Sequence, residues 1–177
     1  MISRVGLGVE YFFLGEGDYP GYLYRNRYIL TLSPAIDVQA DLSMLFASSV
    51  EDQDIFDLTS RHNIHHIISS YGASFKPISL SWFTLGVGGG FSYRYRSEIK
   101  AYAMYSPVYS QSGIRFSQPL ILNHHIKTWD YGYNFEISAT FVAAERLDLG
   151  LSARYMGFNE GSSFFSIGLG LNYKLCD

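Results

Sequence analysis

Charge is scarce in this chain of 177 residues: Asp, Glu, Lys and Arg make up only 16% of it, against roughly 25% in an average soluble domain. The balance of 13 basic to 16 acidic residues leaves a net charge of −3. That gives no electrostatic reason to expect nucleic-acid binding. Cysteine is nearly missing. The single Cys176 permits no internal disulfide, and no Cys/His spacing of the zinc type occurs. No run of about 18 apolar residues exists, so the sequence holds no membrane-spanning helix. A signal peptide is not legible, because Arg4 and Glu10 interrupt the start and no cleavage site follows. If the protein is exported, the expectation is a mature chain with Met1 added for expression. Helix formers do not dominate either, which argues against a helical bundle.

What is present is aromatic and apolar. The chain carries 15 Tyr, 13 Phe and 2 Trp, and apolar residues reach 47%, too many for a disordered chain. These residues recur with a period of two, the signature of strands with two unlike faces. From Val5 the apolar set is Val5, Leu7, Val9, Tyr11 and Phe13. From Val38 it is Val38, Ala40, Leu42, Met44 and Phe46. From Phe83 it runs through Leu85 and Val87 to Phe91, Tyr93 and Tyr95. From Trp129 it runs through Tyr131, Tyr133, Phe135 and Ile137 to Phe141. From Leu147 it continues through Leu149 and Leu151 to Tyr155, and from Phe165 through Ile167, Leu169, Leu171 and Tyr173 to Leu175. Two less regular strands fall at about residues 25–33 and 62–75.

The count predicts eight strands in one domain, residues 1–177, with no linker or composition break. Connections alternate in length. Short turns are expected at 34–37, 76–78 and 143–146, and longer loops at about 15–24, 48–61, 97–126 and 157–162. That alternation is the mark of an up-and-down meander with all short turns at one end.

Which face is inside follows from size. An eight-stranded barrel is just wide enough inside to be filled by side chains. The aromatic and aliphatic face would overfill it, whereas the alternate face of Gly, Ser, Thr and charge suits a narrow interior. The clean strands run roughly 9–15 residues, enough to cross a bilayer at a tilt. A closed barrel satisfies its backbone without water, as a membrane demands. Tyr11, Phe13, Tyr28, Tyr93, Tyr95, Trp129, Tyr131 and Tyr155 are expected toward the long-loop end. Trp82, Phe83, Phe141 and Tyr173 are expected toward the short-turn end. Two such bands would form the girdles of an outer-membrane barrel. The reading is therefore all-β: an eight-stranded antiparallel up-and-down transmembrane β-barrel. A soluble lipocalin-like carrier is the inside-out alternative.

The whole chain resembles the small eight-stranded outer-membrane barrels of Gram-negative bacteria. These include the OmpA transmembrane domain, the OmpX type and the related lipid A-modifying barrels. The segment Phe164–Leu175 is similar to the C-terminal β-signal of such proteins, although it ends in Leu175, Cys176 and Asp177 rather than in an aromatic. The resemblance implies an integral outer-membrane location, with long loops extracellular and short turns periplasmic. Its implied partners are outer-membrane lipid and lipopolysaccharide, and other envelope proteins reached through the loops.

The inward set is expected to contain Arg4, Arg27, Arg94, Arg154 and Lys174, balanced by Glu10, Asp41, Asp130, Glu136 and Asp148. Charges persist in a water-poor lumen only when paired, so these ten residues predict a neutralising network that plugs the barrel. Chemistry has weaker signals. The histidines His62, His65, His66, His124 and His125 cluster at strand–loop boundaries, without the converging ligand set of a metal site. Lipid A deacylases of the resembling group use a His and a Ser two residues apart, and no His-x-Ser occurs here. His65, His66, Ser69, His124 and His125 remain the candidate catalytic residues of an alternative, deacylase-like reading. Only His65 and Ser69 share a face, too far apart along a strand for direct contact. No cofactor and no metal are expected. The function expected first is structural, or surface binding as part of a larger envelope assembly. The loop at 97–126, with Tyr102, Tyr105, Tyr109 and Gln111, offers the adaptable contact surface that Tyr-rich segments provide. Glu51, Asp52, Asp54 and Asp57 in another loop lack a calcium signature and read as solvated charge.

Overall fold

The computed structural model describes residues 2–15, 19–53, 58–104, 107–110, 113–116 and 120–176. Ten strands follow one another: β1 (Ile2–Leu14), β2 (Tyr19–Ser33), β3 (Ile36–Gln53), β4 (Leu58–Ser79), β5 (Phe83–Met104), β6 (Pro107–Ser110), β7 (Gly113–Phe116), β8 (Leu120–Ala144), β9 (Leu147–Phe158) and β10 (Ser163–Cys176). Eight of them close into an antiparallel ring in the order β1-β10-β9-β8-β5-β4-β3-β2, and β6 and β7 form a separate hairpin between β5 and β8. Neighbours in the ring are also neighbours in sequence, apart from that insertion and the closing pair of β1 with β10.

The face assignment follows the size argument. Leu7, Tyr22, Tyr71, Phe91, Trp129, Tyr131, Tyr133, Ile167 and Leu169 are exposed on the outer wall. Each alternates with an inward partner such as Glu10, Arg25, Ser70, Ser92, Asp130 or Ser166, all buried. Aromatics pair across strands at both ends of this apolar wall, where such contacts add to sheet stability. At one end Tyr93 and Trp129 stack at 5.1 Å, and Tyr11 meets Tyr22 edge-on at 5.6 Å. At the other, Phe83 lies 5.5 Å from Trp82 and 5.1 Å from Phe141. Tyr28 departs from the expected upper girdle. It is paired with Val5 and Ala40, so it sits within the apolar wall.

Four boundaries differ from the sequence expectation. The loop at 15–24 is shorter than expected, because β2 starts at Tyr19 and pairs with β1 up to Leu14. The segments 48–61 and 97–126 are not simple loops. β3 and β4 stay paired up to Gln53 and Leu58, and β5 and β8 stay paired up to Met104 and Leu120. The hydrophobic alternation fades there because both faces leave the apolar band, while the backbone ladder continues. The fourth difference lies at 76–78, expected as a turn. Here β4 carries a bulge between Phe75 and Ile78 and runs on to Ser79, turning at Leu80–Trp82. Pro77 marks the bulge, a place where the missing ladder donor is tolerated.

Two glycines show how tightly neighbouring strands meet. A Cβ on Gly132 would lie 2.1 Å from the Gly157 carbonyl oxygen, and one on Gly90 would lie 2.1 Å from that of Tyr71.

Candidate functional site

The interior is built in layers, each set by which residue types fall on inward positions. At the short-turn end Arg4 reaches Asp37 at 3.0 Å and Asp148 at 3.6 Å, Lys76 reaches Asp37 at 2.9 Å, and Lys174 lies 3.4 Å from Asp148. Above this, Arg25 bridges Glu10 and Glu136, both at 2.9 Å. Arg27 holds Asp41 at 2.7 Å and also binds Glu136. Arg154 lies 3.2 Å from Glu10 and 3.7 Å from Asp41. Ser166 donates to Glu10 at 2.5 Å and Arg25 to Ser152 at 2.9 Å. This middle tier sets Arg25, Arg27 and Arg154 against Glu10, Asp41 and Glu136, three charges of each sign. Arg94 and Asp130, both fully buried, form a further pair through Nε at 3.0 Å.

All ten residues expected inside thus lie in ion pairs. Arg25, Asp37 and Lys76 join them and were missed by the sequence reading. Arg25 falls in the less regular second strand, and Lys76 was placed in a turn.

A second layer runs against expectation. The inward face was expected to be small or charged throughout. Instead, Phe12, Leu23, Leu45, Ala47, Ile64, Ile68, Met156, Phe158 and Phe164 form one buried apolar cluster inside the barrel, on the long-strand side of the middle tier. Phe164 packs against Phe12 at 6.0 Å and stacks on Phe158 at 5.9 Å. The Arg94 guanidinium lies 3.9 Å from the centre of the Phe158 ring and donates to Ser162 at 2.7 Å, so it caps this layer. The signal was in the sequence: the alternation places Phe12, Leu23, Leu45 and Phe164 opposite the outward residues, where polar side chains were expected.

Above the apolar layer the wall becomes uneven. β1, β2, β9 and β10 end at Leu14, Tyr19, Phe158 and Ser163, whereas β3, β4, β5 and β8 continue as a tall sheet. Its inner face carries Glu98 between two histidines, with His62 Nε2 at 3.3 Å and His66 Nε2 at 3.4 Å, and Arg96 Nε at 3.7 Å. Burial alone would raise the Glu98 carboxyl. The His66 hydrogen bond and the charge of Arg96 outweigh it and hold the group down to about 2. Burial pushes the His66 imidazole down, against the pull of Glu98. Arg96 also binds Glu160 at 2.7 Å.

The candidate catalytic residues do not converge. His66 faces inward onto Glu98, while His65 faces outward against Phe46 at 5.4 Å between ring centres. Ser69 is also on the outer wall, opposite Leu42 and Tyr93. His124 and His125 are exposed on β8, paired with Lys100 and Ile99. One contact not foreseen is between His125 Nε2 and Ser97 Oγ, 3.0 Å across the β5–β8 pair. Tyr105 and Gln111 lie outside the described residues, as do Asp54 and Asp57 and the side chains of Tyr102, Tyr109, Glu51 and Asp52. Among the described residues no group of three or more His, Cys, Asp or Glu is placed to hold a metal ion.

Among the described residues the tall sheet has two margins paired on one side only. Beyond Ala47, β3 pairs only with β4, over Ser48–Gln53. β8 pairs only with β5 over Leu120–Asp130, because its pairing with β9 starts at Gly132. The two margins differ in composition. Glu51 and Asp52 lie along the β3 margin, whereas the β8 margin reads Leu-Ile-Leu-Asn-His-His-Ile-Lys-Thr-Trp before its first acidic residue, Asp130.

No protein-family model and no curated protein sequence matches the chain. Solved structures do match in fold. The attachment invasion locus protein Ail of Yersinia pestis, in complex with the heparin analogue sucrose octasulfate, superposes with a TM-score of 0.60 at 11% identity over 98% of both chains. Neisserial surface protein A gives 0.60 at 13% identity over 97% of this chain and 96% of that one. A major outer membrane protein of Thermus thermophilus gives 0.61 at 11% identity over 98% and 99%. The chain has the fold of the small eight-stranded outer-membrane barrels.

Proposed function

We propose that the chain is a single-domain integral outer-membrane barrel with a closed lumen, whose work is surface binding by the tall sheet of β3, β4, β5 and β8. The apolar outer wall and its two aromatic margins support the membrane placement. The short turns then face the periplasm and the tall sheet stands outside the cell. The lumen serves no passage, because an apolar layer lies over a charge-paired one. The role is non-enzymatic: it presents a surface to envelope or external partners, and lipid and lipopolysaccharide surround the wall.

The observation that carries the binding role is the one-sided pairing of β8 over Leu120–Asp130. An exposed strand margin is a template for an added strand, and acidic or basic residues normally guard it. By sequence the β3 margin has two acidic residues, Glu51 and Asp52, whereas the β8 margin has a single Lys127 over the ten residues before Asp130.

The test displays the protein on cells and measures capture of extracellular-matrix proteins and of an extended-peptide library. Leu122→Glu with Ile126→Glu, which places a guard on β8, is expected to abolish capture while leaving the heat-shifted gel band intact. Capture unchanged in that variant, or steady ion conductance through the wild type in planar bilayers, would overturn the reading.

A second reading rests on the Ser97–His125 contact at 3.0 Å. It places a hydroxyl beside a base on the outer face, one step above Tyr95 and Trp129, where acyl esters of surrounding lipid would lie. No carboxylate contact to His125 supports it among the described residues. Lipid extracted from cells expressing wild type and Ser97→Ala decides it: an acyl chain missing only with the wild type establishes hydrolysis, and identical lipid profiles exclude it.

A further inference from the structure

We propose that the wall formed by β1, β2 and β3 is the contact surface of a homodimer within the membrane, with Asn26 at its centre. This rests on the membrane placement proposed above. Between the two aromatic margins the outward face carries no charge. Among the described residues Asn26 on β2 and Ser69 on β4 are its only polar side chains other than tyrosines.

The Asn26 side chain is exposed and has no hydrogen-bond partner among the described residues. It is not at a margin. On β2 the outward positions Tyr22 and Tyr24 lie on one side of it, and Tyr28, Leu30 and Leu32 on the other. Its cross-strand neighbours are Leu7 and Leu42, both exposed. A carboxamide in that setting has neither water nor a protein partner, and hydrocarbon offers it none. The inner wall shows what the chain does with such a group elsewhere: Asn134 is buried and donates to Ser92 Oγ at 2.8 Å.

The occupant that best completes Asn26 is a second copy of the chain. A carboxamide is donor and acceptor at once, so two of them related by a two-fold axis satisfy each other. The surroundings suit such an axis. Leucines flank Asn26 in its own row and tyrosines lie above and below it, so the patch presents similar chemistry on either side of its centre. An axis along the membrane normal through Asn26 sets carboxamide against carboxamide and brings the flanking leucines and tyrosines of both copies together. Polar side chains act in this way as the specific contacts between packed membrane segments.

The test uses the full chain in lipid vesicles, with Cys176→Ser to remove the native thiol and a heat-shifted gel band to establish insertion. In that background Leu42→Cys, beside Asn26 on β3, treated with a short bis-maleimide, is expected to give a covalent dimer. Ile137→Cys, outward on β8 across the ring, is expected to give none. In parallel, photobleaching of labelled protein at increasing density in bilayers should show two-step traces for wild type. Asn26→Leu should weaken the dimer by at least tenfold. Single-step bleaching of wild type at every density overturns the proposal, as does an unchanged dimer in Asn26→Leu or cross-linking in cells to a different protein. Loss of the heat-shifted band in the parent chain overturns the membrane placement itself, a result distinct from a barrel that inserts and stays single.

Discussion

Replacing Glu136 with Gln keeps its size and removes one charge from the middle tier of the lumen. Glu136 is 3% exposed, binds Arg25 at 2.9 Å and also accepts from Arg27. Each charge-assisted hydrogen bond is worth about 1.5–3 kcal/mol, and a glutamine retains a neutral version of one. The three-to-three balance of the tier becomes three cations against two anions, with Arg25, Arg27 and Arg154 all within the same layer. Breaking a buried pair by removing one partner costs about 3–5 kcal/mol. The expected loss for Glu136→Gln is at the lower end, about 3 kcal/mol. Urea unfolding from lipid vesicles, followed by Trp82 and Trp129 fluorescence and by the gel shift, measures it. Removing a cation as well, in Glu136→Gln with Arg27→Gln, restores the balance at two against two and should recover part of the loss. A cost below about 1 kcal/mol, with no recovery in the double variant, would refute the reasoning: the tier would then behave as hydrated charge, as surface pairs do.

Other expectations follow from the same geometry. Phe164→Ala opens a cavity in the apolar layer and should cost about 3–5 kcal/mol in the same unfolding experiment; a neutral result would mean the layer is loosely packed. Gly132→Ala drives a methyl into the Gly157 carbonyl oxygen and should cost about 1–3 kcal/mol, a loss that Gly150→Ala, whose added methyl meets only ordinary contacts at 3.5 and 3.7 Å, should not reproduce. The Glu98 carboxyl should titrate by NMR near 2 rather than at its ordinary value of 4.5. Its folded-state value is depressed, so its contribution to stability is complete above the unfolded value and is lost as pH falls from about 4.5 toward 2. A midpoint near 4.5 would mean that the histidines and Arg96 do not hold it.

The architecture was legible because two constraints act on every strand alike. The outer wall must be apolar and the backbone must close, so the alternation in segments such as Phe83–Tyr95 and Trp129–Phe141 reads directly as strands with a known outer face. The inner charges followed from the same parity. What escaped did so for physical reasons. Phe12 and Phe164 sit at inward positions, and a rule that assigns every large side chain to the wall cannot see an apolar layer inside it. The upper reaches of β3, β4, β5 and β8 escaped because strands wet on both faces lose their hydrophobic period while keeping their ladder. Contacts across strands, such as Ser97 with His125 or Glu98 with His62 and His66, depend on register, and register is not written in any one segment.

The ring closes where β1 meets β10, pairing residues from opposite ends of the chain, Gly8 with Gly170 and Val5 with Tyr173. Every other junction of the ring can zip from a nearby turn or from the β5–β8 insertion. This one forms only after the rest of the ring is in place, so the entropy of closing the longest possible loop falls on the last step. Until then two raw strand edges coexist in the nascent protein. In lipid those edges have no acceptable partner but each other, so assembly should be all-or-none, and chains shortened at the C-terminal strand should stall as open sheets for quality-control proteases to remove.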